Sequence, residues 1–388
     1  MTDQKEDDGA IRVMVVDDSA VVRGMITKLL EVDPEIRVVS TVGDGQRAVD
    51  QAGRKTLDVI VLDVEMPVMD GLTAIPKLMM ASPNSKILMV SKLTRINAEV
   101  SMKAMALGAS DYVPKPMAGH NADATAEFGH ELRDKVKALG VSAYRRRTGH
   151  SPNPSTVAKA PPPRSSNSSG GLTQSRTQLI SQIVKTSAAR PEPAPKLRVI
   201  AIGSSTGGPQ ALFEVMASLK SDITQPIVIT QHMPPTFTTI LAEHITRHSG
   251  VSCSEAKHGE VLRDRHAYVA PGDYHMTFEQ RGSATTIQLS QSAPENFCRP
   301  AVDAMLRSLV SIYGGAIMAT ILTGMGHDGL KGCELVRGAG GTVLAQDEAS
   351  SVVWGMPGAV AQAGLAESVL PLKESGPAMR RIALRTAA

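Results

Sequence analysis

The chain has 388 residues, enough for two or three domains, and its 42% hydrophobic content supports sizeable cores built from aliphatic side chains, since aromatic residues make up only 3%. No stretch approaches about 18 uninterrupted apolar residues, the N-terminus Met-Thr-Asp-Gln-Lys-Glu-Asp-Asp-Gly is polar and acidic, and three scattered cysteines (Cys253, Cys298, Cys333) form neither a zinc-spaced set nor a disulfide framework. Membrane insertion, a secretory leader and a disulfide scaffold are therefore set aside, and a cytoplasmic protein with reduced thiols is expected.

The first segment, residues 10–138, alternates apolar runs with helical patterns. Ile11–Val16, Val38–Thr41, Val59–Leu62, Ile87–Val90 and Asp111–Val113 read as five short strands. Between them, Val21, Val22, Met25, Ile26, Leu29 and Leu30 mark one face of a helix, and Ala98–Leu107 marks another before the turn at Gly108. Such alternation predicts a parallel sheet covered on both faces, in the flavodoxin-like manner. Function in these sheets gathers beyond the carboxyl ends of the strands. Asp17 and Asp18 follow the first predicted strand, Asp63 the third, Ser91 the fourth and Lys115 the fifth. Taken singly, an Asp-Asp pair is a solvated turn, a Lys-Pro a loop, and an Asp after a strand a helix cap. Together they make a cluster of carboxylates suited to Mg²⁺, with Asp63 placed to attack a phosphoryl group, Lys115 to pair with its oxygens and Ser91 to hydrogen-bond the product.

At Val61-Leu62-Asp63-Val64-Glu65-Met66-Pro67-Val68-Met69-Asp70-Gly71 and Ala109-Ser110-Asp111-Tyr112-Val113-Pro114-Lys115-Pro116 this segment resembles the response-regulator receiver family. The resemblance implies phosphotransfer from a histidine kinase to Asp63. It implies Mg²⁺ held by Asp17 or Asp18, Asp63 and the backbone carbonyl of Glu65, and a switch in which Ser91 moves toward the phosphate while Tyr112 turns inward.

Residues 139–196 change character. They hold nine Lys/Arg against one acid, Glu192, and eight of the chain's 24 prolines, so the +3 net charge of the whole chain arises here and not on a basic folded surface. Such composition cannot bury enough apolar area to offset its ordering entropy, and a flexible tether is expected. Arg145-Arg146-Arg147 is a possible contact for nucleic acid or anionic lipid, with a solvated linker the plainer reading; Leu179, Ile180, Ile183 and Val184 recur at helical spacing.

Residues 197–385 again alternate. Strands are expected at Leu197–Ile202, Pro226–Gln231, Ala316–Leu322 and Thr342–Ala345, and helices at 209–219, 236–248, 300–312 and 328–338. A hairpin-like stretch runs from Ala267 to Leu289 with Pro271-Gly272-Asp273 as a turn. This predicts a doubly wound parallel α/β sheet with an antiparallel excursion. Gly203-x-Ser205-x-Gly207 lies between a strand and a helix begun by Pro209, the context of a nucleophile elbow. A Gly/Ser turn before a helix also caps or binds anions, and Ser204 is a competitor. His232 and Asp328 follow the next strands, where a base and its orienter belong. The other histidines lie in the linker, on helices, or on loops and hairpin edges where surface roles are commoner; His327 adjoins Asp328, but neighbouring side chains diverge. Asp273 and Asp303 are rival carboxylates, the latter on a helix. The chain order Ser, His, Asp departs from the usual α/β-hydrolase order, leaving a separate hydrolase type or no triad.

Ile202-Gly203-Ser204-Ser205-Thr206-Gly207-Gly208-Pro209, Gln231-His232-Met233-Pro234 and Leu322-Thr323-Gly324-Met325-Gly326-His327-Asp328-Gly329-Leu330 resemble the catalytic domain of the CheB family of chemotaxis protein-glutamate methylesterases, with Ala270–Met276 and Arg299–Asp303 in agreement. The resemblance implies Ser205 as nucleophile, His232 as base and Asp328 as orienter. It implies hydrolysis of glutamate methyl esters on the signalling helices of methyl-accepting chemoreceptors, often with glutamine deamidation, and no cofactor for the esterase. Backbone N–H groups near Thr206 and Met325 are candidates for an oxyanion site. The receiver is expected to cover the crevice until Asp63 is phosphorylated. The long linker and Lys92 after Ser91 depart from the family pattern. A DNA-binding effector would need a basic recognition helix outside the linker, which is not seen. A module whose Gly/Ser loop only holds an anion would have no use for His232 and Asp328.

Overall fold

The computed structural model describes residues 9–92, 94–116, 122–148, 196–219 and 223–385. The first unit is a five-stranded sheet made of β1 (Ile11–Val16), β2 (Ile36–Val42), β3 (Val59–Asp63), β4 (Lys86–Lys92) and β5 (Asp111–Lys115), in the order β2-β1-β3-β4-β5 with every pair parallel. Helices α1 (Ala20–Leu30), α2 (Gly45–Ala52), α3 (Gly71–Ala81), α4 (Arg95–Ala106) and α5 (Ala122–Thr148) cover it. Ser19, Asp44, Asp70 and Thr94 cap the first four, each accepting a backbone N–H from three residues on. One expected core position fails: Val21 is 82% exposed, because α1 turns Ile26 and Leu30 inward and leaves Val21 at the edge of the apolar stripe.

Residues 139–148, expected to belong to a flexible tether, continue the last helix of the first unit. Helix α5 runs on to Thr148, and Leu139, Ala143 and Tyr144 are buried along it. The basic composition concealed this helical stripe, since the arginines occupy its other face. Residues 149–195, including the helical spacing at 179–184, lie outside the described residues.

The second unit is a seven-stranded sheet in the order β14-β13-β12-β6-β7-β9-β8. Its strands are β6 (Val199–Ser204), β7 (Ile227–Gln231), β8 (Cys253–Glu255), β9 (Ala267–Val269), β12 (Ile317–Ile321), β13 (Thr342–Gln346) and β14 (Ser368–Leu370), all paired in parallel. Its helices are α6 (Gly208–Leu219), α7 (Phe237–Ser249), α8 (Val302–Tyr313), α9 (Leu330–Gly338), α10 (Met356–Gln362) and α11 (Leu372–Arg385). The antiparallel excursion is shorter than expected. β10 (His275–Arg281) and β11 (Ala284–Ser290) form the hairpin, turning at Gly282 with φ +59°, whereas Ala267–Val269 joins the main sheet beside β7. Those three residues are fully buried, and β9 is paired on both sides, by β7 and β8.

Strand order explains where chemistry can sit. The chain leaves β6 for β7 on one side and reaches β12 on the other, so the carboxyl end of β6 opens into a crevice. The same switch occurs at β1, flanked by β2 and β3. Among the described residues no helix is long and apolar enough to cross a membrane.

The two units are packed together. The Tyr112 ring stacks on Phe237 at 4.2 Å and 4°, the Gln210 amide donates to the Ala109 carbonyl, and Arg95 pairs with Glu243 at 3.6 Å. Two of the three arginines expected in the solvated tether, though exposed, reach across to the second unit. Arg145 meets Glu348 at 2.8 Å, Arg146 Nη2 lies 3.4 Å from the Ala349 and Ser351 carbonyls, and Arg147 turns back to Asp58 at 3.2 Å with its guanidinium over Tyr144.

Candidate active site

Ser205, His232 and Asp328 follow β6, β7 and β12, three adjacent strands. Ser204 pairs in register with Gln231, which sets Ser205 beside His232 at a spacing of about 4.8 Å between neighbouring strands. The Gln231 amide reinforces the alignment by donating to the carbonyls of both Ser205, at 2.9 Å, and His232, at 3.2 Å. Two glycines permit the elbow. Gly207 has φ +77°, and Gly324 lies so close that a Cβ there would stand 2.8 Å from the Ser205 Cβ. The competitor Ser204 is fully buried and donates to Gln231 Oε1 at 2.7 Å, so Ser205 is the serine facing the crevice.

Asp328 is almost wholly buried, and five donors converge on it. Oδ2 accepts from His232 Nε2 at 2.8 Å and Val302 N at 2.6 Å; Oδ1 accepts from Asn296 Nδ2 at 2.9 Å, Asp303 N at 3.1 Å and Gly329 N at 3.0 Å. Two of these amides belong to the first turn of α8, where backbone N–H groups lack helical partners. Burial alone would raise the Asp328 pKa, but the hydrogen bond from His232 and the backbone donors bring it below the ordinary value. His232 shows the reverse balance: burial pulls its pKa down, yet Asp328 at Nε2 and the Cys298 sulfur, 3.4 Å from Nδ1, raise it. With Nε2 held by Asp328, Nδ1 is the nitrogen left to take a proton. No hydrogen bond joins it to Ser205 Oγ among the described residues. Thr206 lies at the elbow and Met325 in the glycine loop that abuts Ser205.

At the carboxyl ends of the strands of the first unit, ligand atoms of Asp17, Asp18 and Asp63 all lie within 4.8 Å of one another. Lys115 Nζ bridges Asp17 at 2.6 Å and Asp63 at 2.8 Å. Burial raises the Asp63 pKa against the opposing pull of Lys115, and the same two carboxylates overcome burial to raise that of Lys115. Glu65 is exposed at the edge of this cluster. Ser91 is buried with its hydroxyl 3.2 Å from that of Ser101, and Tyr112 is held inside the interface with Lys135 Nζ 5.1 Å above its ring.

The family profile described as CheB methylesterase matches residues 200–379, and that of the response regulator receiver domain matches 13–126. A protein-glutamate methylesterase/protein-glutamine glutaminase of Azospirillum brasilense is 55% identical over 385 residues, covering 97% of this chain and 94% of that one. The chain belongs to the CheB methylesterase family. A Rhodospirillum centenum relative, the methylesterase/glutaminase of a group 2 operon, is also 55% identical, covering 97% of this chain and 95% of its own. Among solved structures, the Thermotoga maritima CheB methylesterase catalytic domain is 39% identical with a TM-score of 0.47, covering 48% of this chain and 98% of that chain.

Several residues around this CheB-family site were not singled out by sequence. Asn296 bridges Asp328 and Asp303, each at 2.9 Å; Cys298 was set aside as one of three scattered thiols yet touches His232. Neither residue follows a strand of the main sheet, so strand-end placement did not find them. Of the rival carboxylates, Asp303 supports the site, accepting from Gly332 N at 2.7 Å, while Asp273 is taken up by Arg299 at 2.6 Å. His275, expected at the surface, is buried, with Ala301 N donating to its Nδ1 at 3.2 Å. His327 is exposed.

The loop 347–355 links the halves. Val353 packs against the α5 side, its carbonyl accepts from Gly324 N at 3.0 Å, and Val352 lies against Gly207.

Proposed function

We propose that Ser205 is the nucleophile, His232 the general base through Nδ1, and Asp328 the orienting carboxylate of this methylesterase. The protein hydrolyses glutamate methyl esters and deamidates glutamines under the control of its receiver domain. Ser205 Oγ attacks the ester carbonyl as its proton passes to His232, methanol leaves with that proton, and water then releases the glutamate. Asp328 keeps Nε2 protonated and stabilises the imidazolium. The backbone N–H groups of Thr206 and Met325 are assigned to the developing oxyanion. The observation that carries this reading is the placement of all three groups at the switch point of β12, β6 and β7, with Asp328 locked by five donors.

Asp63 is the proposed phosphoacceptor. Asp17, Asp18, Asp63 and the Glu65 carbonyl form a hard oxygen set that fits Mg²⁺, and the ion would neutralise the incoming phosphoryl oxygens. Lys115 would keep its place by pairing with the phosphoryl group. A chemotaxis histidine kinase is the proposed donor and the cytoplasmic helices of methyl-accepting chemoreceptors the substrate, with neither nucleic acid nor membrane insertion involved. Ser91 would leave Ser101 for the phosphate, and Tyr112, stacked on Phe237, would carry the change to the catalytic unit.

The test is methanol release from methylated receptor membranes. Ser205→Ala should abolish it, while Ser204→Ala should retain it with some loss of stability, since its hydroxyl only ties Gln231. The opposite pattern would overturn the elbow assignment.

A further inference from the structure

A methyl ester offers an enzyme very little to hold. A protein substrate must therefore be recognised by surface beyond the crevice, through side chains that flank the ester on the polypeptide. One residue is built for such a contact. Phe297 is 101% exposed, and it stands at the tip of a two-residue turn between Glu295 and Cys298. Asn296 has φ +52° and Phe297 φ +64°, so both central residues are left-handed. Such turns favour Asn at the first position but Gly at the second; a bulky aromatic there is a backbone outlier with no packing gain to offset it. Outliers that persist against their own cost cluster where function needs a particular aim.

The turn is held on every side except at its tip. Glu295 and Cys298 exchange backbone hydrogen bonds at 3.1 and 2.9 Å, and Arg307 grips the Glu295 carboxylate at 2.6 and 3.1 Å. Asn296 is tied to Asp328, and Cys298 lies against His232. Phe297 thus projects from a segment fastened to the catalytic carboxylate on one side and to the base on the other. Phe297 is therefore flanked in sequence by a residue that touches His232 and one that touches Asp328. Being fully exposed, the ring touches nothing of the docked receiver, whose α5 shares a cavity with Met325.

We infer that Phe297 is a substrate-recognition residue, a preformed apolar knob that packs on aliphatic side chains flanking the glutamyl ester on the receptor helix. This rests on the methylesterase reading above and adds to it a determinant of protein specificity. Exposed aromatics on rigid supports lose little conformational entropy on binding and recur among the residues that dominate interfaces.

The experiment compares full-length wild type, Phe297→Ala and Phe297→Leu on methylated receptor membranes and on p-nitrophenyl acetate, with Ser205→Ala as the blank and sedimentation recording oligomeric state. For Phe297→Ala, kcat/KM on receptor should fall on the order of 10-fold, mostly through KM, with p-nitrophenyl acetate turnover within about two-fold of wild type. Leu should restore most of the loss. An unchanged receptor KM overturns the inference, as does a parallel fall on both substrates, which would mean that the residue acts through Cys298 and His232. A change confined to self-association also overturns it, by making the knob a contact between copies of this chain. Failure of the wild type on both substrates would instead refute the methylesterase reading itself.

Discussion

Replacing Asp328 with Asn tests the site through two independent readouts. Two oxygens receive five donors: His232 Nε2 and Val302 N on Oδ2, and Asn296 Nδ2, Asp303 N and Gly329 N on Oδ1. Asparagine turns one oxygen into an NH₂ group, and neither orientation escapes a clash of donors. With NH₂ at the Oδ2 position it faces Val302 N–H and forces His232 Nε2 to become an acceptor. The proton then moves to Nδ1, and the base is lost. With NH₂ at the Oδ1 position the tautomer is kept, but three donors are turned against it, two of them backbone amides with no other place to go. A buried donor left without a partner costs about 1–3 kcal/mol, so the first orientation, which turns one donor away, costs about 1–3 kcal/mol and the second, which turns three away, costs more. Even the cheaper orientation lowers the melting temperature of a domain of this size by about 2–12 °C. Turnover should fall on the order of 10⁴, by comparison with triads in which the orienting carboxylate is neutralised. Methanol release and thermal unfolding by circular dichroism measure the two effects. A variant within tenfold of wild-type turnover would refute the role of Asp328 as orienter. An inactive variant with an unshifted melting temperature would refute the account of its hydrogen bonding.

Three further outcomes are expected. The pKa of His232 is raised by Asp328 and the Cys298 sulfur against burial, and a base acts only when neutral. The kcat/KM profile should therefore rise with pH through an inflection above the ordinary histidine value of about 6.5, and Cys298→Ala should move it to lower pH; an unmoved inflection would exclude Cys298 from tuning the base. Acetyl phosphate should stimulate wild type but neither Asp63→Asn nor enzyme stripped of divalent cation by chelator, measured as methanol release; stimulation of Asp63→Asn would remove Asp63 as acceptor. Joint replacement of Arg145 by Glu and Arg146 by Ala should loosen these α5 contacts, where exposed pairs contribute about 0.2–1 kcal/mol each, and raise unphosphorylated turnover about 2–10-fold. Unchanged basal turnover would mean that these contacts do not restrain the site.

Sequence by itself determined the two parallel α/β units and the groups at their strand ends. The reason is local: an apolar run of five or six residues defines a strand, and whatever follows its carboxyl end is carried to the same edge whichever way the strands are ordered. Ser205, His232, Asp328, Asp63 and Lys115 were legible on that ground. Tertiary structure decided what surrounds them. The pairing of Ala267–Val269 with β7, the burial of His275, and the convergence of Asn296, Cys298 and the start of α8 on Asp328 and His232 depend on contacts between residues distant in the chain, which no local spacing encodes. The clearest case is Arg145-Arg146-Arg147. Composition assigns these residues to a solvated tether, because a window average records charge and proline but not the single buried stripe of Leu139, Ala143 and Tyr144. Packing of that stripe extends α5 and turns three apparently free cations into contacts with Glu348, the 349–351 carbonyls and Asp58.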